Sequence, residues 1–307
     1  MGLRLTFLGS DPWSVPSVEA LAESAHELVL AVTREPRPAG RGRGLRSTAV
    51  ADAARRLGLP LEEVPTVKRG PGFEALARSE PDVLVVVAYG EILPKAVLDL
   101  PRLAPVNLHF SLLPALRGAD PVRRAILSGL GETGVTTIRM DEGMDTGAIL
   151  LQESEPIHAD DDAGALGARL AVLGARLLVS TLDRIEAGGL EVRPQDDEAA
   201  SIARRLAPEE EWLVWEEPAP AIARRVRALA PDPGARTRFR GKVLKVYRAR
   251  AAEGSGEPGA VLDASGLVVA AGEGAVVLDE VLPEGKRRMT GEEFARGSRP
   301  ESGERLG

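Results

Sequence analysis

Cysteine is absent from the 307 residues, which excludes a disulfide framework, a thiolate nucleophile and any thiolate-ligated metal. Histidine is nearly as scarce. Only His26, His109 and His158 occur, which argues against a multi-histidine metal centre. Long apolar runs are missing too: the longest nearly apolar stretch, Val83 to Tyr89, is far short of the ~20 residues of a membrane-spanning helix. No charged-then-apolar leader opens the sequence, so a cytoplasmic protein without a membrane segment is expected. Gly2 to Thr6 fits the loose myristoylation pattern, but Leu3, Leu5, Phe7 and Leu8 read better as a first buried strand. Lysine is rare, with 34 of the 39 basic residues being arginine. A single exposed arginine therefore carries little information here, and only local enrichment does.

What is present is a foldable chain. Hydrophobic residues make up 44% of it, enough for a sizeable core. At ~150 residues per domain, a length of 307 suggests two domains. Residues 3–8, 28–33, 83–87, 106–109, 135–140 and 148–153 read as strands. They alternate with helices over 14–23, from a Ser47 cap to Gly58, from Asp120-Pro121 to about 128, and over 163–187. The run Val83–Val87 has no polar alternation, as expected of a strand covered on both faces. Alternation of this kind predicts an α/β fold, a Rossmann-like, doubly wound, mostly parallel sheet over residues 1–189. After Gly189 the pattern changes. A polar linker over 190–207 leads to a helix over 219–230 and short strands at 237–240, 243–248, 259–262, 267–270 and 276–281. That second region, 208–307, predicts a C-terminal small antiparallel β-barrel, OB-like.

One motif is set aside. Gly40-Arg41-Gly42-Arg43-Gly44 superficially looks like a dinucleotide-binding loop, but those glycines must directly follow a strand and open a helix. Here they sit between prolines and Ser47, so neither NAD nor flavin is expected. The chemistry lies elsewhere. On a strand, Asn107 and His109 are two apart and share a face, at the strand end where open α/β sheets place ligands. An amide and an imidazole side by side can both donate to an oxygen that gains charge in a transition state. A nearby carboxylate would favour the protonated imidazole. Asp145 is the candidate, with Asp141 and Glu142 as rivals.

Asn107-Leu108-His109 with Ser111-Leu112-Leu113-Pro114, then Arg117-Gly118 and Met140 to Gly147, resembles the signature of the folate-dependent formyltransferases. The similarity runs from Leu3 to about Arg296 and includes Arg37 to Gly42, Val85 to Gly90, Ile92 to Pro94, Trp215 and Met289 to Phe294. The 37–42 loop and the C-terminal region favour the tRNA-directed branch. The resemblance implies formyl transfer from 10-formyltetrahydrofolate to the amino group of methionyl initiator tRNA, by a monomer and without a metal. Asn107 and His109 would stabilise the oxyanion, and Asp145 would hold His109 charged. Ser111, Leu112, Leu113 and Pro114 would line the folate site, with Tyr89, Ile92, Leu93, Asp141 and Gly143 around the pterin. Three positions depart from the family: Ser10-Asp11-Pro12-Trp13 replaces Thr-Pro-x-Phe, Pro231 to Ala235 lacks the usual Trp, and Ala148 stands for a frequent Asp.

A net charge of −7 is compatible with a polyanionic partner, because phosphate attraction is local. Residues 224–250 hold ten basic side chains against Asp232, where the chain average predicts three to four. A second basic stretch runs from Arg34 to Arg46. Candidate tRNA contacts are Arg41 and Arg43, then Arg236, Arg238, Lys242 and Lys245; the resemblance makes Arg41 the main one. Two alternatives stay open: formylation of an amino-sugar nucleotide or of glycinamide ribonucleotide, and a tRNA-binding protein without turnover. His26 and His158 are expected on the surface or in loops.

Overall fold

The computed structural model describes residues 2–39 and 44–307; Arg41, Arg43 and the glycines around them lie outside the described residues. The chain forms two compact units. The first holds residues up to 121, 132–156 and 167–203, and the second holds 122–131, 157–166 and 204–307.

In the first unit the chain runs β1 (Arg4–Gly9), α1 (Val15–Glu23), β2 (Glu27–Arg34), β3 (Arg37–Ala39), β4 (Gly44–Arg46), α2 (Ala49–Leu57), β5 (Leu61–Val64), α3 (Gly70–Ser79), β6 (Val83–Val87), α4 (Lys95–Leu98) and β7 (Ala104–His109). After α5 (Pro121–Leu127), which belongs to the second unit, come β8 (Glu132–Arg139), β9 (Ala148–Pro156) and α6 (Ala163–Glu186), whose first turn also belongs to the second unit. Seven strands form one sheet in the order β5-β2-β1-β6-β7-β8-β9. All five residues of β6 are buried, as their unbroken apolar pattern requires. The chain fills one side of β1 and then returns to β6 on the other, which creates the switch point where such sheets bind ligands. The two last pairings, β7 with β8 and β8 with β9, are antiparallel. The eight residues 140–147 between β8 and β9 are too few for the dozen or more of a parallel crossover.

Local chemistry explains the smaller differences from expectation. Thr48 rather than Ser47 caps α2, its hydroxyl accepting from the Ala51 N–H, while Gly58 ends the helix at φ +67°. The Gly-Pro-Gly that opens α3 reads as a breaker, but its proline occupies the first turn, where no N–H is needed. The basic stretch 34–46 contains a short hairpin, β3 against β4, with Arg37 opposite Arg46. Trp13, the residue that departs from the family turn, packs edge-on to Phe110 and so close to α6 that a Cβ on Gly167 would lie 2.2 Å from its ring. Helix α6 is long and apolar enough to cross a bilayer by composition, yet 61% of its most apolar window is buried within the protein. His26 lies in a loop, as one of its two expected settings had it, but not on the surface. Its side chain is fully buried in the turn after α1, with Nδ1 accepting from the Leu3 N–H at 3.2 Å and Nε2 facing Asp183 at 3.3 Å. His158 is exposed, as expected.

The second unit contains α7 (Ala219–Leu229), β10 (Ala235–Phe239), β11 (Lys242–Ala252), β12 (Val261–Asp263), β13 (Val268–Ala270), β14 (Ala275–Pro283), β15 (Met289–Thr290) and α8 (Gly291–Ser298). The strands pair antiparallel in the order β10-β11-β14-β13-β12, with β15 on β14. The edges left open are closed by the tail, where Leu306 bridges Phe239 and Arg305 bridges Ala260. This is the small OB-like barrel expected from the glycine-punctuated strands. Trp215, Ile222, Val226, Phe239, Phe294 and Leu306 fill its interior.

Candidate active site

Strand β7 carries the site. Its alternation leaves Asn107 half-buried and His109 on the same face with 5% exposure. Both flanking strands pin the register, with Asn107 opposite Val86 on one side and Ile138 on the other. His109 Nε2 lies 2.9 Å from the Leu116 carbonyl, and Nδ1 lies 3.6 Å from Asp145 Oδ2. An acceptor oxygen therefore stands near each ring nitrogen.

Two loops bring these acceptors in. The first leaves β7 and turns through Ser111, whose fully buried hydroxyl donates to the Ala115 carbonyl at 2.6 Å. It then passes Leu116 at φ +60° and Gly118 at φ +122°. The Gly118 N–H donates to Asp145 Oδ2 at 2.8 Å, and a Cβ at Gly118 would come within 2.7 Å of the Ala203 carbonyl. Only glycine meets both conditions. The second loop, 140–147, starts near the beginning of β7, where the Met140 N–H donates to the Pro105 carbonyl. Asp145 nevertheless reaches His109 at the far end, so the loop folds back ~10 Å along the strand. Asp141 organises that fold, accepting from the Gly143 N–H at 3.0 Å and the Thr146 hydroxyl at 2.7 Å. A side chain at Gly143 would collide with Thr146. Of the three rival carboxylates, Asp145 is thus the one on the imidazole. Its backbone is strained, at φ +56°.

Residues that the sequence did not single out hold this geometry. Gln195 Nε2 donates to the carbonyls of Asp145 and Gly147, each at 2.7 Å, and its Oε1 accepts from Arg117 Nε at 3.0 Å. Arg117 is 6% exposed and also donates to Asp197 at 2.8 Å. Ser201 accepts from the Leu116 N–H at 2.9 Å. Arg117-Gly118 was visible as a motif; no spacing signalled Gln195.

The folate candidates divide by exposure. Tyr89, Leu93, Ser111 and Leu113 are buried, whereas Ile92 is 68% exposed and Leu112 and Pro114 are half-buried. The buried residues shape the wall, and the exposed ones offer apolar contact surface. Met144, on the loop of Asp145, adds a further exposed apolar side chain. Burial, together with the Glu91 carboxylate, pushes the Tyr89 hydroxyl up to about 12. Arg34 lies 5.9 Å over the Tyr89 ring and pairs with Glu91 at 3.2 Å, so it anchors this wall and is not a free cation.

The second unit carries the other basic stretch. Arg236 faces Lys245 across β10 and β11, a like-charge pair relieved because Arg236 bonds Glu211 at 2.8 Å and Lys245 donates to the Pro233 carbonyl at 2.8 Å. Arg225, Arg240 and Arg250 are each paired with a carboxylate. Arg227 is spent on the carbonyls of His158 and Asp161. Arg238, Lys242 and Lys245 have no acidic partner within 4.0 Å among the described residues. Arg238 lies 5.0 Å over the Trp212 ring and Arg288 lies 3.4 Å over Tyr247.

An amide and an imidazole thus share one face of β7 in a Rossmann-like unit, with a carboxylate 3.6 Å from the imidazole, an arrangement suited to a group-transfer site. The particular family follows from comparison: the chain belongs to the formyl transferase family, whose N-terminal domain matches residues 3–182 and whose C-terminal domain matches 205–299. It is 46% identical to the methionyl-tRNA formyltransferase of Thiobacillus denitrificans, over 99% of this chain and all of that protein. The HypX structure from Aquifex aeolicus, in complex with tetrahydrofolic acid, superposes with a TM-score of 0.68 at 19% identity, over 96% of this chain and 47% of that one. An N-formyltransferase from Helicobacter canadensis, in complex with folinic acid and dTDP-3-aminofucose, gives 0.66 at 17% identity, over 90% of this chain and 98% of that one.

Proposed function

We propose that this chain formylates the free amino group of methionyl initiator tRNA, using 10-formyltetrahydrofolate as the formyl donor. The observation that carries the reading is the approach of Asp145 to within 3.6 Å of His109, beside Asn107. In the reaction a C–N bond forms between the amine and the formyl carbon, the bond from that carbon to folate N10 breaks, and a proton passes from amine to N10. The Asn107 amide donates to the formyl oxygen as charge builds on it. His109 supplies the second donor by exchanging Nε2–H from the Leu116 carbonyl to that oxygen, an adjustment common when substrate enters. Asp145 stabilises the imidazolium and, through a water, assists the proton transfer. Ile92, Leu112, Pro114 and Met144 offer the apolar surface for the folate, with Asp141 and Gly143 keeping the loop in shape.

The acceptor is supported by the full-length similarity to a methionyl-tRNA formyltransferase and by Arg238, Lys242 and Lys245, which have no acidic partner among the described residues and lie near Trp212 and Tyr247. A small acceptor, an amino-sugar nucleotide or glycinamide ribonucleotide, needs no such distributed phosphate contacts. Arg41 and Arg43, with the hairpin bases Arg37 and Arg46, supply the second contact surface. The test is direct. The protein is given 10-formyltetrahydrofolate with methionyl-tRNA, a sugar nucleotide amine or glycinamide ribonucleotide, and the formylated product is identified. Formylation of either small acceptor in preference to methionyl-tRNA would replace this reading.

A further inference from the structure

We infer that Gln195 is a positioning residue for the catalytic carboxylate, clamping the strained Asp145 turn from a segment that looks like a linker in the sequence. The inference rests on the reaction class above, and its argument is geometric. Arg117 can only donate, so the Gln195 atom 3.0 Å from its Nε is the amide oxygen, which commits the NH2 group to the opposite side. There it meets two carbonyl oxygens, those of Asp145 and Gly147, each at 2.7 Å. Both carbonyls lie just C-terminal to the Asp145 Cα, whose φ is +56° and whose side chain turns toward His109. Arg117 is itself fixed by burial and by Asp197 at 2.8 Å. The same segment also holds the opposite acceptor, because the Ser201 hydroxyl accepts from Leu116, whose carbonyl faces His109 Nε2 at 2.9 Å. One stretch of chain, 195–203, thus fixes the partners of both imidazole nitrogens. The hydrogen bonds of the Gln195 side chain go to Arg117, Asp145 and Gly147 and not to the imidazole, so it acts through Asp145.

The decisive substitution is Gln195→Glu, which keeps size and the Arg117 contact but turns a carboxylate oxygen toward two carbonyl oxygens. A space-filling role would tolerate it. The positioning role predicts that kcat falls at least ~10-fold while KM for both substrates stays within ~3-fold, and that Asp145→Asn combined with Gln195→Glu loses little more than Asp145→Asn alone. A second readout needs no acceptor. With three histidines in the chain, the imidazole nitrogen signals are assignable by nuclear magnetic resonance. Those of His109 should move in Gln195→Glu while those of His26 and His158 do not. Unmoved His109 signals, or a wild-type kcat, would overturn the clamp. Should Gln195→Glu fail to fold, Gln195→Met carries the same two expectations. A wild type inactive on methionyl-tRNA would instead remove the proposed acceptor, and the imidazole signals would still decide the role of Gln195.

Discussion

The residues of the site fail in different ways. On the proposed reaction, replacing Asn107, His109 or Asp145 by Ala removes a donor, or the group that holds one, from a developing oxyanion. Each change should cut kcat by ~10² or more, with tRNA affinity nearly unchanged. Full activity in His109→Ala would refute the site. Gly118→Ala should act at a distance from the reacting atoms: its new Cβ meets the Ala203 carbonyl, and the N–H that holds Asp145 shifts. We expect kcat to drop with little change in KM, measured as the split between the two. At this scale the sequence was partly legible. Asn107 and His109 could be paired because strand periodicity is fixed at two, but spacing alone could not exclude Asp141 and Glu142 as rivals to Asp145. What separates them is a loop that folds back over the strand and a backbone at positive φ, and neither is written in residue order. Gln195 was invisible for the same reason, since its partners are carbonyls.

Among the elements, those with strong apolar periodicity, such as β6 and α6, were legible, and those whose identity depends on neighbours were not. Strand β5 carries two glutamates and only one buried residue, so its pairing with β2 makes it a strand, not its pattern. The tail was read as no element at all, yet it closes the barrel. Leu306 is 2% exposed against the core of the second unit. Leu306→Ala should lower the unfolding free energy of that unit by about 2 to 5 kcal/mol, read from denaturant unfolding. The element α5 is tied by charge. Arg124 donates to both oxygens of Glu210 at 2.7 and 2.9 Å, and this contact, opposed by burial, takes the Glu210 carboxyl from 4.5 down to about 2. Because the folded value is the lower one, the carboxylate stabilises the fold fully above 4.5 and loses that contribution as pH falls toward about 2. Glu210→Gln should therefore unfold at lower temperature than wild type at neutral pH, and the gap should close in acid. A gap that stayed constant across that range would dissociate Glu210 from the effect.

For the whole molecule, the question is how a chain of net charge −7 engages a polyanion. Charge on a protein surface is felt only over ~10 Å at ordinary ionic strength, so the total matters less than where unpaired cations lie. Most arginines of the 224–250 stretch are already committed to carboxylates or carbonyls, which reduces ten basic residues to a few free ones. Lys242 and Arg238 are the clearest: no acid lies within 4.0 Å of either among the described residues, both are exposed, and Arg238 makes only a local bond to the Gly241 carbonyl at 3.3 Å. Charge reversal at either should raise KM for tRNA several-fold, leave kcat on saturating tRNA close to wild type, and reduce the salt slope by roughly one counterion. Reversal at Arg236 should do less to tRNA use, because its guanidinium is already neutralised by Glu211, and should cost stability instead. Arg41, in the basic stretch 34–46, should behave like Lys242. The comparison is made by measuring formylation of methionyl-tRNA across a salt series for each variant. A salt slope unchanged in Arg238→Glu and Lys242→Glu would show that the tRNA does not approach this face, whereas a larger effect from Arg236 than from either would mean that its ion pair opens when RNA binds.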